Sequence, residues 1–333
     1  MVLQELINEW QNTSDKLLVH TSGSTGKPKP LWVEKERMAA SARMTCRFLG
    51  LKQGDTALLC LPLDYIAGKM VVVRTLVWGL KLIEVKPSGH PLHTLEEAPT
   101  FAAMVPMQVY NSLDNTHDRR LLMNIKQLII GGGAIDPALE KALKEFPNAV
   151  WSTYGMTETL SHIALRRLNG REASQWYTPF DTVEVGLTAD HCLWIKAPEV
   201  CEKTLETNDI AEMASDGRRF RIIGRKDNVI CSGGIKIHIE EVEDLLKPVV
   251  KEPFMVTKRK DEKLGETVVL LLQGNLSAKQ LQHIKAVVAT ALPPYWLPHH
   301  YILVPALPYT ETGKPARKEA ERMAIQDDKE SGV

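Results

Sequence analysis

The sequence predicts an α/β fold: a large N-terminal domain of layered, mostly parallel sheets and helices, and a small C-terminal α+β domain joined to it by a hinge. Three observations carry this expectation. Short apolar runs alternate with helical patterns up to about residue 225. A polar turn within "IIGRKDNV" then separates two apolar segments. Beyond it the texture changes to helix, hairpin and helix, and 333 residues suit two domains.

The elements follow in order. "KLLVH" before residue 21 reads as a strand, and "TALLCLPL" (56–63) as a buried one. "IAGKMVVVRTLVWGL" follows as a helix. "TFAAMVP", "IKQLIIGGG" and "NAVWSTYG" read as further strands. Between the last two, Asp136-Pro137 starts a helix, with an acid at the N-cap and proline at the first helical position. In the C-terminal part, "IHIEEVEDLL" is an acidic amphipathic helix that stops at Pro248, and "FMVTKRKDEKLGETVVLLLQG" is a hairpin with a polar tip. "SAKQLQHIKAVVATAL" opens with a capping box, Ser277 to Gln280, and places Leu281, Ile284 and Val288 on one face.

Composition narrows the function. Basic and acidic residues both number 41, so the chain is formally neutral, which argues against nucleic acid or a membrane surface as partner. The most basic run, Lys258 to Lys260, is followed by Asp261 and Glu262 and reads as a solvated turn. Five cysteines, odd in number and without CxxC spacing, point to a reducing cytoplasm. The N-terminus lacks the basic start of a signal peptide. The longest apolar stretch, "MVVVRTLVWGLKLI", is interrupted by Arg74 and Lys81 and does not suit a bilayer span.

The segment "HTSGSTGKPKP" (20–30) is the first candidate site. It fits a plain surface turn. It does not fit a Walker A loop, because Gly23 and Gly26 are too close together and Pro28 follows Lys27. It also fits an anion-gripping loop at a strand's carboxyl end, with glycine amides, hydroxyls and lysines as donors.

"TSGSTGKPK" resembles the phosphate-binding signature of the adenylate-forming superfamily, the acyl- and aryl-CoA ligases, adenylation domains and luciferases. Its companions occur in the same order: "YGMTET" (154–159), "TNDIAEM" (207–213), "IIGRKDNVICSGGIKIHIEEVE" (222–243) and "TETGKPAR" (310–317). The chain resembles a short form that lacks the N-terminal subdomain. The stretch "LPLDYIAGKMVVVRTLVWG" is similar to the o-succinylbenzoate–CoA ligase subgroup of menaquinone biosynthesis. The resemblance implies a truncated AMP-binding domain over 1–224, a hinge at 225–229 and a mobile small domain over 230–333.

It also implies a two-step reaction with ATP, Mg²⁺ and coenzyme A: a carboxylic acid attacks the α-phosphate, and a thiol then attacks the acyl-adenylate. By that resemblance Thr21, Ser22, Gly23, Ser24, Thr25, Gly26 and Lys27 would hold the β- and γ-phosphates. Glu158 would bind Mg²⁺ and serve catalysis, although alone it reads as a surface acid. Ser152, Thr153, Tyr154, Gly155, Met156 and Thr157 would border the nucleotide, with Tyr154 against adenine or simply in the core. Gly131, Gly132, Gly133 and Ala134 would leave room for adenine and an aryl group, or form a turn before Asp136. Asp209 would accept from the ribose hydroxyls, or act as a loop acid or cap, and Arg225 would donate to them. Lys314 would be the catalytic cation and Asp227 the hinge, while Gly233 and Gly234 would flank the coenzyme A tunnel. Loading of a carrier protein, a different acid, and a non-catalytic nucleotide-binding relative stay open, as do the acid-pocket residues, with Ser161 and His162 among the candidates. A homodimer could replace the missing wall.

Overall fold

The computed structural model describes residues 1–20, 30–133, 135–310 and 313–330. It divides into two compact units: Met1–Leu187 with Trp194–Glu206 and Met213–Arg221, and Thr188–Leu193 with Thr207–Glu212 and the chain from Ile222 onward. The division passes through the four-stranded sheet Glu184–Leu187, Cys192–Lys196, Leu205–Met213 and Phe220–Arg225. Thr207–Glu212, which carries Asp209, therefore clusters with the second unit and not with residues 1–187.

The α/β expectation holds in the first unit. Its main sheet runs in the order Lys81–Glu84, Thr56–Leu59, Phe101–Met104, Gln127–Ile130, Ala149–Gly155, His162–Arg167, Thr178–Pro179. The first five strands are parallel and the last two pairings antiparallel. Phe101, Ala102, Leu128 and Ile130 are fully buried, as strands covered on both faces require. Helices Lys35–Phe48 and Ile66–Trp78 pack against each other. The second is apolar almost all round, so it can only be an interior helix, and Gly68 through Thr75 are all buried. Asp136 caps its helix as expected, accepting from the amides of Ala138 and Leu139 at 2.9 and 3.0 Å. Lys16–His20 pairs with Pro30–Glu34 in register His20↔Pro30, flanking residues 21–29.

The second unit is built on the hairpin Phe254–Asp261 and Gly265–Gln273. Alternating residues of these strands face two cores. Val256 and Leu270 meet helices Ile239–Leu246 and Ala278–Ala291 through Val242, Ile284 and Val288. Met255 and Leu271 meet helix Arg317–Glu330 through Ala320 and Ala324. Two features have no counterpart in the sequence reading: a small hairpin, Val229–Ser232 with Ile235–His238, and a parallel edge strand, His300–Val304. Lys258–Lys260 is a correction, since it lies in the strand, with Arg259 opposite Thr267, and not in a turn. Glu266 pairs with Lys258 at 2.9 Å, and the turn itself comes later, where Asp261 accepts from the amides of Lys263 and Leu264. Among the described residues no helix is long and apolar enough to cross a membrane.

Candidate functional site

In the first unit the chain leaves strand Ala149–Gly155, makes a short 3₁₀ turn at Thr157–Thr159, and returns as strand His162–Arg167. Gly155 is obligatory there. A β-carbon would stand 2.3 Å from the Ser161 carbonyl oxygen and 2.4 Å from His162 Cα, closer than any side chain permits. The buried Thr159 ties the turn, its hydroxyl bonding to Met156 and donating to the Ser161 carbonyl at 2.8 Å. Leu160 then adopts φ of 64° while buried, a costly conformation for a bulky residue and one that recurs near functional sites.

Several expected nucleotide-binding residues meet in this unit. Gly131–Gly133 follow strand Gln127–Ile130, and the Thr153 side chain lies so close to Gly131 that a β-carbon there would be 2.3 Å from Thr153 Oγ1. The half-buried Tyr154 sets its ring edge-on to Phe220 at 5.1 Å and beside Tyr177 at 5.8 Å. Ser152 Oγ and the Tyr177 hydroxyl share a hydrogen bond of 2.8 Å. Met156 is half-buried, Thr157 buried and Glu158 exposed on the short turn. Among the described residues no three His, Cys, Asp or Glu side chains cluster to hold a metal. A single exposed carboxylate such as Glu158 suits a magnesium ion whose other ligands are phosphate and water oxygens. Thr21, Ser22, Gly23, Ser24, Thr25, Gly26, Lys27 and Ala134 lie outside the described residues.

Sequence reading missed one residue here. Helix Ile66–Trp78 carries Arg74 into the interior, where it is 2% exposed. Its terminal nitrogen donates to Ser161 Oγ at 2.6 Å, and its Nε has no partner. Among the described residues no carboxylate pairs with it. Burial pulls its pKa down to about 10. Cys46, the titratable neighbour, is pushed up to about 11 by burial and so remains a neutral thiol. His162, also buried, bridges Ser161 Oγ at 3.2 Å and Thr45 Oγ1 at 3.0 Å, and burial followed by the charge of Arg74 holds its pKa well below the usual value. An arginine amid buried apolar neighbours is the signal that could have found this site, because an unpaired interior charge is costly.

The second unit assembles a different group. Arg225 bonds Asp209 at 3.1 Å and Asp227 at 2.9 Å, linking the expected ribose acid to the expected hinge. Thr207 Oγ1 accepts from the Asp209 amide at 3.0 Å and orients that segment. Asp227 is exposed on the 3₁₀ turn Lys226–Asn228. Gly233 and Gly234 have φ of 57° and 84° in the tight turn between Val229–Ser232 and Ile235–His238, so hairpin geometry alone accounts for both glycines. Lys314 sits on a closed turn: its amide donates to Thr310 Oγ1 at 3.0 Å and its carbonyl accepts from the Thr310 amide at 2.8 Å. The ammonium is half-buried, and burial, with the nearby positive Arg225, lowers its pKa.

Residues 8–188 match the family described as AMP-binding enzyme. The chain is similar to the 2-succinylbenzoate–CoA ligase of Lactococcus lactis, 27% identical over 91% of this chain and 70% of that protein. Among solved structures, an acyl-CoA synthetase (AMP-forming)/AMP-acid ligase II-like protein from Dyadobacter fermentans is 33% identical, with a TM-score of 0.65 over 96% of this chain and 93% of that one. The o-succinylbenzoate CoA synthetase of Bacillus subtilis, in complex with the acyl-adenylate intermediate OSB-AMP, shares the fold with a TM-score of 0.75 at 22% identity, covering 91% and 68%. The match spans more than half of the sequence: the chain belongs to the AMP-binding enzyme family.

Proposed function

We propose that this protein is a cytoplasmic, ATP-dependent acid–CoA ligase whose acid is a dicarboxylate of the o-succinylbenzoate kind, in menaquinone biosynthesis. The observation that carries the choice of acid is Arg74, a buried guanidinium with an unfilled donor and no carboxylate partner among the described residues. A buried cation is stable when an anion meets it, and a planar carboxylate matches its fork. One carboxylate of the acid would react while the other lies against Arg74 and Ser161. The curated relatives named 2-succinylbenzoate–CoA ligase support the same reading.

The first half-reaction brings a carboxylate oxygen onto the α-phosphorus and expels pyrophosphate. Lys314 would bridge the substrate carboxylate and the α-phosphate, offsetting their repulsion as the new bond forms. Asp209 would accept from the ribose hydroxyls, with Arg225 holding the acid in place. Tyr154 and Gly131–Gly133 would border the adenine, and Thr21–Lys27 would hold the leaving phosphates. Glu158 would hold magnesium, which supplies charge neutralisation for the phosphates when bound. In the second half-reaction the thiol of coenzyme A attacks the acyl carbonyl and AMP leaves. Asp227, at the exposed turn, is the proposed pivot that withdraws Lys314 for this step, and Gly233 and Gly234 would flank the entering thiol chain. A screen of aromatic and aliphatic acids with ATP and coenzyme A, read by thioester formation, tests the proposal. The expected result is turnover of o-succinylbenzoate, and failure with every dicarboxylate while a mono-acid is turned over refutes the choice of acid.

A further inference from the structure

The buried groups around Arg74 form more than a pocket wall. Four side chains from three elements join in one line: Arg74 on helix Ile66–Trp78, Ser161 and His162 at the start of the returning strand, and Thr45 on helix Lys35–Phe48. Thr45 continues the line to the Ser41 carbonyl at 3.1 Å. Arg74, Thr45, Ser41 and His162 are all buried, and Ser161 between them is half-buried.

The direction of every proton follows from the two ends. A guanidinium can only donate, so Ser161 Oγ accepts from Arg74 and spends its own hydrogen on His162 Nδ1. An imidazole accepting at Nδ1 carries its proton on Nε2, and that N–H donates to Thr45 Oγ1. The Thr45 hydroxyl then donates to the Ser41 carbonyl, which can only accept. Each of the three linking groups uses one hydrogen and one lone pair, and with the imidazole neutral no other arrangement makes all four bonds. The geometry is braced by Gly155, by the strained Leu160, and by Phe180, whose ring lies 5.7 Å from that of His162.

We propose that Thr45 and His162 are positioning residues for acid recognition: they fix Ser161, and through it the guanidinium of Arg74, by a hydrogen-bond chain running in one direction to the Ser41 carbonyl. The proposal rests on the reading that Arg74 receives a substrate carboxylate. It explains why a histidine stands at 162. A purely apolar residue would leave Ser161 free to turn its hydrogen elsewhere, and an amide offers two hydrogens where the chain has room for one. The buried cation would then sample several rotamers, weakening recognition of the acid without touching the nucleotide.

Two measurements test it. In protein labelled with ¹⁵N-histidine, the signal that disappears in His162→Asn should report a proton held on Nε2 and a bare Nδ1. A proton on Nδ1, or fast exchange between the two nitrogens, overturns the chain. In steady-state kinetics, Thr45→Val should raise KM for o-succinylbenzoate about tenfold. KM for ATP should stay unchanged, and Thr45→Ser should restore the acid KM. If Arg74→Met raises the acid KM while Thr45→Val leaves it unchanged, the positioning role is refuted and the acid site stands. If Arg74→Met also leaves the acid KM unchanged, the acid site itself is refuted and the recognition role with it. The histidine signal judges the chain in either case, even where Thr45→Val or Arg74→Met fails to fold.

Discussion

Gly155 and Ser161 approach so closely that a β-carbon on the first would stand 2.3 Å from the carbonyl oxygen of the second. Gly155 ends one strand and Ser161 directly precedes the strand paired with it, with Ser161 Oγ accepting from Arg74 at 2.6 Å. Gly155→Ala should cost about 1–3 kcal/mol of stability, because the crowding atoms are backbone and cannot swing aside. It should also raise KM for the acid more than KM for ATP. Denaturant unfolding and acid titrations check both; a stability change below about 0.5 kcal/mol would mean the returning strand shifts freely.

Lys314 is held by a backbone turn closed through Thr310 and has its ammonium half-buried beside Arg225. Lys314→Ala should slow adenylate formation by roughly 10²–10³-fold, the usual effect of removing one transition-state charge contact. Thioester formation from supplied acyl-adenylate should persist. The lowered lysine pKa also gives a sign: adenylation needs the ammonium, so its alkaline limb should fall at a lower pH than for an ordinary lysine. An alkaline limb that does not move when Lys314 is changed to arginine would contradict this assignment.

Asp227 bonds Arg225 at 2.9 Å, and Arg225 in turn bonds Asp209. Asp227→Pro should leave ATP–pyrophosphate exchange near its full rate and abolish thioester release, since only the second half-reaction needs the pivot. Equal loss in the two assays would remove Asp227 from that role.

His162 gives a pH dependence of stability. Its pKa is held well below 6.5 in the fold by burial and by Arg74, whereas the unfolded chain protonates it near that value. Below pH 6.5 the unfolded state therefore binds the extra proton, and stability falls as pH falls. Below pH 6.5 the protein should therefore lose stability more steeply with falling pH than a variant without this imidazole. Comparing the unfolding of the protein with that of His162→Asn isolates the effect; parallel pH slopes would place His162 in contact with water.

Much of this was legible in the sequence. The parallel strands announce themselves as short apolar runs because both their faces are covered, and Asp136-Pro137 marks its helix because the cap is a local hydrogen-bond pattern. Arg74 was not legible in the same way. In one dimension it is a charge interrupting an apolar stretch, and only the packing of helix Ile66–Trp78 inside the first unit turns it into a buried cation. Lys258–Lys260 misled for a related reason. Three adjacent charges resemble a turn, but Glu266, from the neighbouring strand, neutralises Lys258 and lets the strand continue. The Thr45–His162 bond joins residues 117 positions apart, and no local pattern encodes it.

Selectivity between dicarboxylate and mono-acid probes Arg74 most directly. The rate of adenylate formation should be measured with o-succinylbenzoate and with the two analogues that each lack one of its carboxylates, in the protein and in Arg74→Met. The protein should favour the dicarboxylate over the reactive mono-acid by about 100-fold, and Arg74→Met should erase that preference while still consuming the mono-acid. A preference that survives intact in Arg74→Met would contradict the account.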